Sequence, residues 1–190
     1  MPAEATQEQG REGVARVQRW LEATTYLELP WNVYETPAMC EVEHLGGNKY
    51  FDMAGWFLGK NRREVYVENK NYTSDGGQYS QFQEFLAIAY SSTAKRLQSA
   101  SDRKTEFIWV TSHPFNLSRW SKLATHEEIR KALNDKPEFL ADKPIDDDLL
   151  RTISSRIWVL VMNQRQVDIS LTQDELGKVL PILKRKVSTL

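Results

Sequence analysis

Hydrophobic residues near the amino terminus recur at the spacing of a helix. Val14, Val17 and Leu21 lie three and four positions apart, with charged residues between them. This spacing places the three side chains on one face of an amphipathic helix. We therefore expect the first element to be a helix over residues 7–23.

Segments rich in aromatic and β-branched residues follow, and Pro, Gly or Asn residues separate them. Such segments favour strands, and the separating residues favour turns. The four segments are Tyr26–Tyr34, Met39–Leu45, Tyr50–Leu58 and Glu64–Tyr72. We interpret them as consecutive antiparallel strands of a β-meander.

Two capping-box patterns mark helix starts further along the chain. Ser80 is followed three residues later by Gln83, which predicts a helix that continues to about Leu97. Thr172 and Glu175 have the same spacing. They predict a helix close to the carboxyl terminus.

The segments between these two helices alternate between strand and helix patterns. Phe107–Thr111 favours a buried strand, and Ser118–Leu133 favours a helix. Asp135–Asp148 has the composition of a surface connection. Arg156–Met162 favours another buried strand, with a buried helix as the alternative for a run this short. The whole order predicts an α/β sandwich with a mixed central sheet.

The composition fits one intracellular domain spanning residues 1–190. The chain is 41% hydrophobic, which suffices for one sizeable core. Its single cysteine, Cys40, cannot form an internal disulfide, and the polar amino terminus lacks the pattern of a signal peptide. The longest apolar run is far below the roughly 18 residues of a membrane span. We expect a cytoplasmic protein that does not associate with membranes.

The charge balance limits how this chain could bind nucleic acid. Twenty-five basic residues face 26 acidic ones, for a net charge of −1. A generally polyanion-binding surface is therefore excluded, and any nucleic-acid site must be a local patch. Basic residues cluster around one predicted hairpin and fit either phosphate contacts or a solvated face: Lys49, Lys60, Arg62 and Arg63.

Two carboxylates are predicted to face each other across that hairpin. The side-chain period of a strand places Glu68 and Lys70 on the same face. If Gly59-Lys60-Asn61 forms a three-residue loop, Asp52 lies opposite Glu68. A two-residue turn would instead place Asp52 opposite Asn69, so the site requires an odd-length loop or a bulge.

Facing carboxylates suggest a metal site. Like charges in directly opposed positions destabilise a sheet unless a cation lies between them. Mg²⁺ prefers hard oxygen ligands and binds commonly through one or two carboxylates. Lys70 could then hold or polarise an attacking water. The alternative is that Asp52, Glu68 and Lys70 are ordinary solvent-facing charges of a half-exposed sheet.

The order of these residues resembles the PD-(D/E)xK nuclease superfamily, particularly its Mrr-like and Holliday-junction-resolvase-like branches. Asp52 is followed by Glu68-Asn69-Lys70 at the end of the next strand, although Phe51 stands where the family usually has Pro. The resemblance covers residues 10–133. Three surrounding features are also similar. Gly10-Arg11-Glu12 opens the first helix, a Gln-bearing helix follows the strand with Glu68-Asn69-Lys70, and Val110-Thr111-Ser112 precedes the next helix.

The resemblance implies a restriction-endonuclease-like three-layer sandwich, with a core over about residues 10–133 and an extension over 134–190 packed on it. It also implies phosphodiester hydrolysis with Mg²⁺, or Mn²⁺ as a substitute, held by Asp52 and Glu68. Glu12 would be a third metal ligand, or would simply pair with Arg16 on the helix surface. Gln83 or Gln81 would be an auxiliary active-site residue, although Gln83 also fits a helix cap.

These implications lead to two hypotheses about function. The first is a metal-dependent nuclease acting on DNA in preference to RNA, as the cutting subunit of a prokaryotic restriction or antiviral defence system. The near-neutral charge suggests a protein partner or a homodimer. The second is a catalytically inactive module of the same fold that binds nucleic acid or scaffolds a complex.

Overall fold

The helices and strands follow the predicted alternation of types. The computed structural model describes residues 3–58, 62–71 and 76–183. In these ranges the helices are α1 (Ala3–Thr24), α2 (Gln78–Arg96), α3 (His126–Asp135), α4 (Asp147–Ser154) and α5 (Gln173–Leu183). The strands are β1 (Leu27–Asn32), β2 (Glu41–His44), β3 (Gly47–Tyr50), β4 (Met53–Phe57), β5 (Glu64–Lys70), β6 (Glu106–Thr111) and β7 (Ile157–Val161).

Five strands form a mixed central sheet in the order β1-β4-β5-β6-β7. The β1–β4 and β4–β5 pairs are antiparallel, whereas β5, β6 and β7 run parallel. The predicted meander is wrong in one respect, because β2 and β3 form a separate two-stranded sheet. Four segments with similar strand composition cannot show which of them pair.

Helices cover both faces of the sheet. On one face, Val14, Val17 and Leu21 of α1 pack with Val65 and Val67 of β5. On the other face, α2, α3 and α4 enclose an aromatic core that includes Phe82, Phe85, Phe107 and Trp109. This arrangement confirms a mixed α/β fold with a central sheet. The more specific restriction-endonuclease-like assignment stays a prediction.

The predicted helix starts had different outcomes. Thr172 and Glu175 do form a capping box, since the Thr172 hydroxyl accepts a hydrogen bond from the Glu175 N–H and the Glu175 carboxylate accepts one from the Thr172 N–H. The capping box at Ser80 and Gln83 is wrong. The N-cap of α2 is Gly77, three residues before Ser80, and its φ of 74° lies in the left-handed region open to glycine.

The predicted strands around β6 and β7 are correct. All six residues of β6 are buried, and Ile157–Val161 is a strand rather than a helix. Because β7 pairs with β6, residues after 133 complete the central sheet and do not merely pack on it. The predicted helix over 118–133 is shorter, with a 3-10 helix over Leu117–Lys122 before α3. No helix in the described ranges is long and apolar enough to cross a bilayer.

Candidate active site at the ends of β4 and β5

Asp52 lies directly before β4, where three backbone segments meet. Its carbonyl oxygen accepts a hydrogen bond from the Val33 N–H at 2.9 Å, which extends the contact with the end of β1. The preceding residue, Phe51, is buried against the rings of Tyr66 and Phe85. This apolar anchor replaces the expected proline, and it holds the chain so that the Asp52 side chain points toward β5.

The pairing of β4 with β5 confirms the predicted register. Met53 lies opposite Val67 and Ala54 opposite Tyr66, so one further step along the same register places Asp52 opposite Glu68. The loop residues Gly59, Lys60 and Asn61 lie outside the described residues. The alternative register is therefore wrong, although the Asp52 Oδ2 atom does accept a hydrogen bond from the Asn69 N–H at 2.7 Å.

Glu68 is a buried carboxylate whose two oxygens have different surroundings. Oε1 lies 2.8 Å from the Lys70 Nζ and 3.1 Å from the Lys49 Nζ. Oε2 is buried and has no hydrogen-bond partner among the described residues. Leaving a buried carboxylate oxygen unsatisfied is costly. One oxygen of Glu68 is therefore left without the donor or cation that a buried carboxylate requires.

The Asp52 carboxyl group has a strongly perturbed proton affinity. Burial raises the pKa of Asp52 to about 6, and the negative charge of Glu68 contributes to this rise. The Asn69 N–H, Lys70 and Lys49 act in the opposite direction. Desolvation is the larger cause, so the site disfavours the charged form of Asp52 even with two lysines close by. A divalent cation would supply the missing charge.

Glu68 lines a cleft of about 140 Å³ beside the first turns of α2, and Phe51, the residue before Asp52, lines it as well. Glu68, Lys70 and Trp109 form part of its wall, and the Lys70 Nζ lies 5.8 Å from the centre of the Trp109 ring. Gln81 and Glu84 of α2 also line it. Because β5 and β6 are parallel and end together, the cleft lies at the carboxyl ends of two central strands.

Lys49 lines the cleft, although its sequence position predicted only membership of a basic cluster. It belongs to β3, outside the central sheet, yet its ammonium group reaches Glu68. Its position three residues before Asp52 is the feature of the sequence that could have indicated its place at the site. A chain that enters β4 beside Asp52 necessarily brings the preceding residues close to the same site.

Of the two glutamine candidates, only Gln81 lines the cleft. The Gln83 side chain is buried and donates a hydrogen bond to the Asp135 carboxylate at 2.9 Å. Gln83 thus connects α2 to the end of α3, and the structure does not place it at the proposed active site. The helical period explains the difference, because residues two positions apart point in different directions around a helix.

Glu12 is not brought to Asp52 and Glu68. It is exposed on α1 and lines a separate, open concavity of about 530 Å³ with Arg16, Arg19 and other residues. Among the described residues, no group of three histidine, cysteine or acidic side chains could hold one metal ion. Glu68 faces the α2 layer while α1 packs on the opposite face of the sheet, which accounts for the separation.

Asp52 and Glu68 have the donor chemistry that Mg²⁺ requires. Both provide hard carboxylate oxygens, and the buried Glu68 Oε2 has no partner in the described parts of the chain. Mg²⁺ retains several waters and often takes its remaining ligands from substrate phosphate. Two protein carboxylates are therefore a sufficient set. This donor set does not suit Zn²⁺, which prefers sulfur and nitrogen ligands in structural sites.

Comparisons with known proteins give only distant similarity. No known family profile matches the chain, and no curated protein is significantly similar to it. A Cap4 receptor of Moraxella osloensis containing a SAVED/CARF domain aligns with 97% of this chain and 38% of its own, at 16% identity and a TM-score of 0.38. The corresponding Acinetobacter baumannii receptor, solved with the cyclic trinucleotide 3'3'3'-cAAA, aligns with 94% of this chain and 40% of its own, at 13% identity and a TM-score of 0.34.

The chain spans less than half the length of each of these receptors. TM-scores this low do not establish a shared fold. The architecture of this chain is therefore defined by its own sheet topology, and the chemistry of its cleft by its own residues.

Proposed function

We propose that this chain is a metal-dependent nuclease that hydrolyses phosphodiester bonds of DNA. The observation that supports this most directly is that Glu68 and Lys70 line one cleft, with Asp52 opposite Glu68 in the register of β4 and β5 and with no partner for the buried Glu68 Oε2 among the described residues. An ordinary solvent-facing pair of charges would not bury a carboxylate to this extent. The side chain of Glu68 is only 6% exposed.

Asp52 and Glu68 are the residues that would hold Mg²⁺. When bound, the ion supplies electrostatic stabilisation to the phosphate oxygens and lowers the pKa of water. The protein contributes the geometry, since Asp52 is fixed by the Asn69 N–H and Glu68 by the strand that carries it. Fixed ligands need little rearrangement during the reaction, which is the main source of electrostatic catalysis.

Lys70 is the residue that would orient the attacking water. Its ammonium group can accept no hydrogen bond, so it acts by holding the water oxygen and stabilising negative charge on it. The water oxygen forms a bond to phosphorus while one phosphorus–oxygen ester bond breaks. The water loses a proton and the departing oxygen gains one, leaving a phosphomonoester and an alcohol.

The test is cleavage of supercoiled plasmid, linear duplex DNA, single-stranded DNA and RNA with Mg²⁺, Mn²⁺ or EDTA. We expect cutting with either metal and none with EDTA. Asp52→Asn and Lys70→Ala should each lose it, because Asp52→Asn removes a metal ligand and Lys70→Ala removes the group that holds water. Matched controls are Asp168→Asn and Lys143→Ala, which change exposed residues outside the cleft.

Cutting that survives both site variants would overturn the assignment of these residues. If the native protein cuts no substrate under any of these conditions, the nuclease proposal fails. The competing explanation, a module of this fold that binds nucleic acid without cutting it, would then be favoured. The expected place in a defence system stays a prediction, as does the preference for DNA over RNA.

A further inference from the structure

Two lysines share one oxygen of Glu68, and only one of them is needed as a partner. Lys70 lies on β5 itself, whereas Lys49 comes from the β2–β3 hairpin. Both ammonium groups contact Oε1, at 2.8 and 3.1 Å. Because like charges repel, placing two ammonium groups on one oxygen has a cost that a simple structural ion pair would not require.

The hairpin that carries Lys49 is fixed on the body of the protein. The Leu45 N–H donates to the Ser91 hydroxyl on α2 at 2.9 Å, and Glu43 pairs with Lys95 of the same helix. Near the tip, a side chain at Gly46 would lie 2.9 Å from the Glu138 carbonyl oxygen, so the tip is closely packed. Lys49 is therefore held at a defined position beside the cleft.

The direction of Lys49 follows from the pairing of the hairpin. Lys49 lies opposite Val42, a buried residue, so both side chains point toward the core. Its neighbours Asn48 and Tyr50 are exposed on the other side. A lysine on the inner side of a hairpin is unusual for a solvated charge, since lysine is seldom buried without a partner.

From these contacts we infer that Lys49 is a second catalytic lysine, which binds the phosphate undergoing hydrolysis. This inference rests on the proposed nuclease activity. The Lys49 side chain is 31% exposed, slightly more than the 25% of Lys70, and it lines the same cleft. It can therefore reach a phosphate in the cleft without leaving its strand.

The two lysines then have different tasks. In the metal-free protein both neutralise Glu68. When a divalent cation shares the charge of Glu68, the attraction between this carboxylate and two ammonium groups weakens, and Lys49 turns toward a phosphate oxygen. A lysine acts on phosphate as a point charge. Lys49 thus stabilises the negative charge that develops on the phosphate, while Lys70 holds the water.

The test compares Lys49→Met, Lys49→Arg and Lys95→Met with the native protein in single-turnover cleavage at saturating Mg²⁺. Methionine keeps the apolar stem and removes the charge. We expect Lys49→Met to lower the rate by about 10²–10³-fold, the usual effect of removing one group that stabilises transition-state charge. Lys49→Arg should recover most of the rate. Lys95→Met is the control: Lys95 of α2 pairs with Glu43 of the hairpin and does not line the cleft. This variant should cut at the native rate.

Two further measurements separate this role from a structural one. The Mg²⁺-dependent rise in Tm should be retained in Lys49→Met, because the metal ligands are intact. DNA binding with Ca²⁺ in place of Mg²⁺ should weaken, and its salt dependence should decrease by about one unit of slope, as for loss of one phosphate contact.

The outcomes are distinct. If the native protein cuts DNA and Lys49→Met cuts equally well, Lys49 is only a structural partner of Glu68 and the inference is overturned. A rate loss accompanied by an equal loss of the Mg²⁺-dependent Tm rise also overturns it, because Lys49 would then position the metal ligands. A native protein that cuts nothing overturns the proposed function itself, and with it the role of Lys49.

Discussion

Burial of Asp52 couples the charge of this carboxyl group to the stability of the fold. Its folded-state pKa of about 6 lies above the ordinary value of 3.8. Between these two values the folded protein binds more protons than the unfolded chain. The free energy of unfolding therefore falls as pH rises through this window, and the full penalty is present above pH 6.

Asp52→Asn should stabilise the metal-free protein at neutral pH. The amide oxygen can still accept the hydrogen bond from Asn69, while the buried charge is removed. We expect a gain of about 1–2 kcal/mol in the free energy of unfolding at pH 7.5, and little gain at pH 4, since the native carboxyl is then protonated as well. Urea denaturation at the two pH values measures both quantities.

Mg²⁺ should reverse the order of stability of the two proteins. The native protein should gain Tm with added Mg²⁺, because ligand binding to the folded state stabilises it by mass action. Asp52→Asn should gain little, since it lacks a charged ligand. Asp168→Asn, an exposed change, serves as the control. In the urea experiment, an equal change in the free energy of unfolding with pH for the native and Asp52→Asn proteins would show that Asp52 does not carry the buried charge.

Residue-scale patterns predicted part of the site correctly. The strand period placed Glu68 and Lys70 on the same face, and the assumed loop length gave the observed register around Asp52. The period could not identify Lys49, whose contact with Glu68 depends on how a separate hairpin folds back. The sequence pattern also could not exclude Glu12 as a metal ligand, because the distance of Glu12 from the cleft depends on which face of the sheet α1 covers.

At the scale of elements, helix α1 compensates a defect in the edge strand β1. The register of β1 shifts between Glu28 and Trp31. The backbone groups of Leu29 there are bound by side chains of α1: the Leu29 N–H donates to Glu22 at 2.8 Å, and its carbonyl oxygen accepts from Gln18 at 2.7 Å. Glu22 and Gln18 are one helical turn apart, so one face of α1 serves both groups.

Glu22→Leu should therefore destabilise the protein although Glu22 is distant from the cleft. It leaves the Leu29 N–H without its acceptor, and we expect a loss of about 1–3 kcal/mol in the free energy of unfolding. Glu22→Gln is the matched control, because its amide oxygen can still accept the hydrogen bond. Denaturant unfolding distinguishes the two variants. Equal destabilisation by both would indicate that the negative charge, and not the hydrogen bond, is required.

The bulge itself was not predictable from the sequence. Gly55 of β4 lies beside it, and a side chain at this position would come within 2.0 Å of the Glu28 carbonyl oxygen. A glycine within a strand indicates such a close backbone approach only in general terms. Local patterns identified the existence and type of β1 and β4, whereas their irregular pairing depends on tertiary contacts.

At the scale of the whole molecule, the last third of the chain completes the sheet. Residues after 133 supply β7, which pairs along β6, and they also bury Leu150, Ile153 and Leu176. These residues were predicted to form an extension because the family resemblance ends near residue 133. A motif identifies the part of a fold that carries its chemistry, and it does not define where the hydrophobic core ends.

A chain truncated after Leu133 should consequently fail to fold. Removal of β7 would expose one edge of β6, a strand whose six residues are all buried, and would remove part of the aromatic core. We expect loss of cooperative unfolding in urea. A chain ending at Leu183 keeps every described element and should unfold cooperatively. Cooperative unfolding of the shorter chain would show that residues 1–133 form an independent core.

The β2–β3 hairpin is an insertion with respect to the central sheet. Its two strands pair with each other, and the neighbouring strands β1 and β4 pair directly. The order of the main strands therefore does not depend on the hairpin, although an exchanged hairpin would have to keep the contacts with Ser91, Lys95 and Glu138. Glu68 and Lys70 thus belong to the central sheet and Asp52 directly precedes one of its strands, whereas Lys49 belongs to the hairpin. With Lys49 in its proposed role, grafting a different hairpin between β1 and β4 would be a direct way to change which phosphates bind in the cleft.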